Sequence, residues 1–282
     1  MPYSDILYDK RDGIATITIN RPHAMNAATI KTYDEMIDAL RDAEADDSVR
    51  VVVLTGAGGR AFCAGDDVKE IFLNPEFRDA KPAQRTLVEE WREHRPVALD
   101  LLVTYPKPTI ASVNGAAVGY GCDIALMCDM RVCSDQARFG EVFIRRGLIP
   151  EAGGLLVLPR LVGLARAYEL ILSGDIIDAA EAERIGMVNK VVPHAQLGEA
   201  TLAFRQKNRS ASALSSAPGQ GSSAGRPESQ SAVFFRLPAP RPTPDADLER
   251  SSRRREVLRR EALGELQGRV VKVEKSATVK SP

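Results

Sequence analysis

The sequence is poor in the residues that bind metal or tie a chain together covalently. Its three histidines, His23, His94 and His194, share no metal-like spacing. Four cysteines, Cys63, Cys122, Cys128 and Cys133, sit in or beside apolar runs with no CxxC or Cys/His spacing, which argues against zinc. They read as buried free thiols in a reducing compartment. No apolar run reaches the eighteen or so residues that a membrane span requires. The start, Met1-Pro-Tyr-Ser-Asp5, lacks the basic and apolar stretch of an export signal, so a cytoplasmic protein with no membrane partner is expected. Net charge is absent too: 38 basic residues balance 38 acidic ones, and no overall field points to nucleic acid. The basic excess near the C-terminus reads as a solvated charge run. The one tryptophan, Trp91, lies on a helix face and reads as packing. No G-x-x-x-x-G-K-[ST] occurs, and Gly115, Gly119 and Gly121 have the wrong order for G-x-G-x-x-G, which argues against nucleotide binding.

What the chain does have is an ordinary apolar fraction, 44% of 282 residues, and a recurring pattern of strand, glycine turn and helix. The stretch around which this pattern is organised is Asn114-Gly-Ala-Ala-Val-Gly-Tyr-Gly-Cys-Asp123. It follows an apolar strand, Thr109-Ile-Ala-Ser-Val113, and leads into an apolar helix, Ile124-Ala-Leu-Met-Cys128. Glycines let the backbone turn tightly and approach a ligand, and a helix start carries N–H groups that can hold an anion or a developing oxyanion. A second turn of the same kind, around Gly65, follows the strand Val49–Thr55. If the two strands are neighbours, their N–H groups converge on one point. Structural turns are the plain alternative.

Elsewhere the pattern predicts a hairpin over Ile6–Tyr8 and Ile14–Ile19 and a helix from Asn26 to about Ala45. Another helix is expected from about Ala83 to Thr104. Strands are expected at Met130–Cys133 and Val188–Val192, with helices over Leu155–Leu161, Ala165–Ser173 and Asp178–Ile185, the last capped by Asp178. Strands alternating with helices make this an α/β domain with a largely parallel sheet. The character changes near Ala203. Residues 1–203 read as the folded domain, and 204–282 as a low-complexity Ser/Pro/Arg-rich tail expected to be disordered. A shifted reading frame in a GC-rich gene and a genuine extension both fit such a composition. A single short amphipathic helix fits Ser252–Leu266.

Several segments, in order and at matching spacing, resemble the crotonase superfamily, the enoyl-CoA hydratase/isomerase group. They are Asn20-Arg-Pro-His-Ala-Met-Asn-Ala27, Ala61-Phe-Cys-Ala-Gly-Asp-Asp67, Lys107-Pro-Thr-Ile-Ala-Ser-Val-Asn-Gly115, Cys128-Asp129, Phe139-Gly140, Gly147-Leu-Ile-Pro150, Gly153-Gly154 and Pro159-Arg160. The resemblance implies a spiral of ββα units, an acyl-CoA substrate, no permanently bound cofactor beyond that coenzyme A, and a homotrimer or hexamer. The loss of the pattern after Ala203 puts that assembly in doubt. By the same resemblance the backbone N–H groups of Asp66 and Tyr120 form the oxyanion hole. Ala24, Ala64, Gly65, Val68 and Gly119 line the coenzyme A and acyl site.

The proton chemistry is where the chain departs from the hydratase pattern of two glutamates. The first position holds Asp123, one methylene shorter, and the second, four residues past Phe139, holds Phe143, which cannot move a proton. Glu151, in Leu148-Ile-Pro-Glu-Ala-Gly-Gly154, matches the single base of family members that shift double bonds. The expected reaction is therefore isomerisation of an enoyl-CoA with Glu151 as proton shuttle. Hydration of a 2-enoyl-CoA, or a catalytically inactive coenzyme A-binding relative, is the alternative. Asp123 serves as a second acid, fixes a water, or caps its helix; Glu151 as a turn carboxylate is the plain alternative for that residue. Glu141, near Phe143 in sequence, could lean into the site but is expected to be solvated or paired, and Arg145 and Arg146 are expected to meet either coenzyme A phosphates or surface carboxylates.

Overall fold

The computed structural model describes residues 3–71, 98, 100–148, 150 and 153–207. Among the described residues ten strands form two sheets. The larger has the order β1-β2-β3-β5-β7-β10, made of β1 (Ile6–Arg11), β2 (Ile14–Ile19), β3 (Val51–Gly56), β5 (Thr109–Val113), β7 (Met130–Ser134) and β10 (Lys190–Val192). β1 and β2 are the antiparallel hairpin, and every other pairing in this sheet is parallel. The smaller sheet, β4-β6-β8-β9, is built from β4 (Ala61–Cys63), β6 (Ala116–Val118), β8 (Arg138–Gly140) and β9 (Ile177–Asp178). Three times the chain lays a strand in the first sheet and the next in the second: β3 to β4, β5 to β6, and β7 to β8. This is the spiral of ββα units. After β4 and β6 it turns into a helix, α2 (Val68–Ile71) and α3 (Tyr120–Met127) respectively; after β8 comes a 3-10 turn, Val142–Arg146.

The residues account for this arrangement. β3 and β5 are mostly apolar because parallel strands are covered on both faces, and β5 is buried at every residue. On one face, Ile14, Val51, Val53, Ile110, Val132 and Val192 pack with Leu197 and Phe204 of α8 (Leu197–Lys207). Helix α1 (Ile30–Ala45) starts at Thr29, whose side chain accepts from the Thr32 N–H while Thr32 accepts from Thr29 in return. It buries Tyr33, Met36, Ile37 and Leu40 at helical spacing. Further helices among the described residues include α4 (Gly153–Leu156), α5 (Leu158–Val162), α6 (Leu164–Ser173) and α7 (Ala179–Arg184), which begins on an Asp178 side chain accepting from the Glu181 N–H.

Several differences from the sequence reading are instructive. Ala116–Val118 is a strand within the glycine stretch, a three-residue inner strand paired on both sides, with β4 and with β8. Leu155–Leu161 is divided between α4 and α5, with Pro159 at the start of the second. The chain stays helical through Lys207, past the Ala203 boundary. The helix expected from Ala83 is described only at residues 98 and 100–104, which are helical. Trp91, His94, Glu151 and the tail from residue 208 lie outside the described residues.

Candidate active site

The two glycine turns lie side by side at the ends of neighbouring parallel strands. Ala61 pairs with Ala116 and Cys63 with Ala117. Gly65, at φ 92°, and Gly119, at φ 54°, occupy backbone conformations that a side chain disfavours. A Cβ on Gly65 would lie 3.0 Å from the Val118 carbonyl oxygen and 3.3 Å from the Tyr120 nitrogen. The positions expected to carry the two oxyanion N–H groups, Asp66 and Tyr120, therefore adjoin. Gly121 presses closer still, since a Cβ there would stand 2.0 Å from the Cys63 carbonyl oxygen. The first turn of α3 is thus seated directly on the end of β4.

Tyr33, which the sequence reading treated only as an apolar helix position, links the two turns. Its hydroxyl donates to Asp66 Oδ1 at 2.6 Å, and its ring meets that of Tyr120 edge to face with centroids 5.9 Å apart. Burial, then the Asp66 charge, pushes the Tyr33 hydroxyl well above the usual phenol range, so it remains a donor.

The segment before α1 wraps the same edge. Ala28 N–H donates to the Gly65 carbonyl at 2.8 Å, and Ala64 N–H donates to the Met25 carbonyl at 3.1 Å. Asn26, buried and left-handed at φ 56°, donates to the Ala57 and Ala61 carbonyls. Arg21 reaches Asp67 at 3.0 Å, with Asp5 and Glu70 nearby, and donates to the Ala27 carbonyl. The segments that carry Ala24, Ala64 and Gly65 are thereby tied together, Val68 follows at the start of α2, and Gly119 adjoins Gly65. Arg145, Arg146 and His23 are exposed.

Asp123 stands in the first turn of α3 and is wholly buried. Its Oδ1 accepts from the Gly154 N–H at 2.5 Å, which joins α3 to α4. Next to it is Glu141, and here the structure corrects the expectation of a solvated or paired side chain. Glu141 follows Gly140, whose carbonyl accepts from Gly119 N–H at 2.8 Å, so it enters directly beneath the glycine turn. It is 1% exposed. Neither carboxyl oxygen meets an N–H or O–H donor among the described residues; the weak thiol donor of Cys122 is beside it. Burial first, and the Asp123 charge second, hold its carboxyl well above the usual carboxylate range. Phe143 is half-buried on the following turn. Counting four residues from Phe139 found a phenyl ring, but the backbone had already delivered a carboxyl two residues earlier.

The Cys128-Asp129 pair has a structural task. Asp129 accepts from the Thr109 N–H at 2.8 Å and from its hydroxyl at 3.0 Å, joining the starts of β5 and β7. Arg131, unremarked in the sequence, is buried and donates to the Leu126 and Cys128 carbonyls at the end of α3 and to Met187. It caps the helix that carries Asp123. Among the described residues no group of three or more His, Cys, Asp or Glu could hold a metal ion, and no helix is long and apolar enough to cross a membrane.

Comparison with known proteins places these features in a family context. The sequence profile for enoyl-CoA hydratase/isomerase matches residues 9–218. The chain is 40% identical over 197 residues to a short-chain-enoyl-CoA hydratase of Clostridium acetobutylicum, covering 70% of this chain and 72% of that one. It is 38% identical over 193 residues to a probable enoyl-CoA hydratase of Mycobacterium tuberculosis, covering 68% of this chain and 70% of that one. Among solved structures, an enoyl-CoA hydratase from Bacillus anthracis superposes with a TM-score of 0.67 at 33% identity, covering 76% of this chain and 83% of the other.

Proposed function

Because the chain belongs to the enoyl-CoA hydratase/isomerase family, we propose that it adds water across the double bond of a 2-enoyl-CoA thioester. The observation that carries this reading is the buried Asp123 carboxyl with a second carboxyl, Glu141, beside it, under the turn that adjoins Gly65. The three similar proteins described above are named as enoyl-CoA hydratases, one of them as probable, which favours the same reading.

In this reading the thioester oxygen lies between the N–H groups of Asp66 and Tyr120. Asp123 takes a proton from water as the oxygen forms its bond to C3. The C2=C3 electrons move onto the thioester carbonyl as an enolate, and a proton then returns to C2. Preorganised donors around such an oxyanion contribute about 3–4 kcal/mol each. Ala24, Ala64 and Val68 face the coenzyme A, while Gly65 and Gly119 allow the acyl carbonyl to approach the backbone. No permanently bound cofactor is needed, because the coenzyme A arrives with the substrate. The free, buried cysteines fit a cytoplasmic setting.

A second reading, migration of the double bond in a 3-enoyl-CoA, rests on Phe143 at the expected acid position and on Glu151 in Ile149-Pro-Glu151. There a single carboxylate removes a proton at C2 and returns it at C4. For assembly we propose a homotrimer or hexamer. Leu164, Tyr168 and Leu172 recur every four residues along one face of α6 at 63%, 59% and 66% exposure, a stripe of the kind that copies of a chain bury against one another.

Incubation with a 2-enoyl-CoA and separately with a 3-enoyl-CoA tests the function. A mass gain of one water from the first supports hydration. Conversion of the second to a conjugated product of unchanged mass supports migration. No reaction with either, together with retained coenzyme A binding, refutes both.

A further inference from the structure

Glu141 is the one carboxyl among the described residues that is sealed from solvent with both oxygens lacking a hydrogen-bond partner apart from the weak Cys122 thiol. Among the described residues no cation is paired with it. Buried carboxylates are ordinarily paired, because an isolated ionised carboxylate in an apolar interior is strongly unfavourable. Its surroundings are specific. A Cβ on Gly154 would lie 2.7 Å from Glu141 Oε2, and the N–H of the same residue donates to Asp123 Oδ1 at 2.5 Å. One glycine is therefore in contact with both carboxyls, and only a residue without a side chain fits between them. The titratable groups facing Glu141 are Asp123 and Cys122, both from α3. α4 presents the Gly154 backbone, and on the 3-10 turn that Glu141 precedes, Arg145 and Arg146 are exposed. Cys122 is itself wholly buried, with its thiol pushed far above the usual range by burial and then by Glu141, so it brings no charge.

We propose that Glu141 is a positioning residue for catalysis: it keeps a proton beside Asp123, so that the two carboxyls, held apart by Gly154, carry a single negative charge, and that charge resides on Asp123. Two like charges in one dry site are disfavoured; Asp123 accepts the Gly154 N–H, which favours its ionised form, and Glu141, which accepts no N–H or O–H among the described residues, retains the proton. Asp123 then remains a base while its neighbour stays neutral. At high pH Glu141 ionises, a second charge enters the site, and turnover falls. The inference rests on the reading of Asp123 as the base, but the state of Glu141 can be measured without substrate.

Two measurements on the full-length protein test it. The first is infrared difference spectroscopy of the substrate-free protein at neutral pH, wild type against Glu141→Gln. A carbonyl band of a neutral carboxylic acid, present in wild type and missing from the variant, is expected. The second is the pH dependence of kcat/KM on 2-enoyl-CoA and 3-enoyl-CoA. Glu141→Gln should retain turnover within about tenfold at neutral pH, since an amide is also neutral, and should lose the alkaline fall seen in wild type. Glu141→Leu, which is neutral without a donor, serves if the amide variant does not fold, and should lose the same band and the same alkaline fall. Absence of the band from wild type overturns the proposal, as does an alkaline limb identical in wild type and variants. So does a folded Glu141→Gln that is inactive at every pH, because Glu141 would then transfer a proton itself. A band that behaves as expected in a protein that turns over neither substrate keeps the carboxyl pair and refutes the functional reading alone.

Discussion

Gly121→Ala is the sharpest test of how the fold positions the two proposed oxyanion donors, the N–H groups of Asp66 and Tyr120. An added methyl would sit 2.0 Å from the Cys63 carbonyl oxygen, 2.6 Å from its carbon and 2.8 Å from the Cys63 Cβ. A carbon–oxygen contact settles at about 3.3 Å or more, so the first turn of α3 must retreat by roughly 1.3 Å. Cys63 cannot yield instead, because β4 is held by its pairing with β6 on one side and by the Asn26 bond to the Ala61 carbonyl on the other. Overpacking of this kind costs about 1–3 kcal/mol. For a domain of this size that is a fall in Tm of about 2–4 °C per kcal/mol. The same retreat carries the Tyr120 N–H away from Asp66, and a displacement of about 1 Å at a reacting centre costs on the order of 100-fold in rate. The assay is thermal unfolding together with kcat on a 2-enoyl-CoA, with Gly198→Ala as control. Gly198 is exposed on α8 with open space around it, so alanine there should leave kcat unchanged and stabilise the helix by up to about 1 kcal/mol. A folded Gly121→Ala with wild-type kcat would refute the reasoning, even if its Tm had dropped.

Other outcomes follow from the same geometry. Arg131→Met should destabilise by about 3 kcal/mol or more in denaturant titration, because the Leu126, Cys128 and Met187 carbonyls lose a buried donor. Tyr33→Phe removes the bond to Asp66, and should cost about 1.5 kcal/mol, the low end for a charged acceptor, since half-buried Asp66 can turn to water. The folded Glu141 carboxyl holds its proton above the pH at which the unfolded chain releases it. Its contribution therefore weakens the fold progressively as pH rises from about 4.3 toward the folded value, by at most about 1.4 kcal/mol per pH unit. Denaturant titrations across pH should show that slope in wild type and a shallower one in Glu141→Gln. Leu172→Glu, in the exposed stripe of α6, should shift sedimentation toward the monomer, and an unchanged distribution would place any interface elsewhere.

The sequence by itself determined the parts of the fold that depend on local rules. Apolar runs at Val51–Gly56 and Thr109–Val113 are strands, a helix follows the stretch from Asn26 to Thr29, although Thr29 rather than Asn26 proves to be its cap, and Asp178 caps another, because burial, capping and side-chain period act within a few residues. The ordered motifs identified the family for the same reason, since each is a short stretch whose backbone task fixes its residues. The second sheet was not legible. β4, β6 and β8 are three residues each, too short for a period to show, and they exist because neighbours supply their hydrogen bonds.

The site divides in the same way. That Gly65 and Gly119 mark turns can be read from glycine itself; that they adjoin was decided by the β4–β6 pairing. Tyr33 and Asp66 are 33 residues apart, and the bond between them is a product of packing alone. Asp123 was found by its place in a motif, whereas Glu141 escaped because its role depends on what surrounds it. A glutamate two residues after Phe139 looks like a surface residue until Gly119, Gly154 and Cys122 close around it and remove the water. Burial is a property of the assembled chain, and it is burial that turns Glu141 from a solvated carboxylate into a proton-bearing neighbour of Asp123.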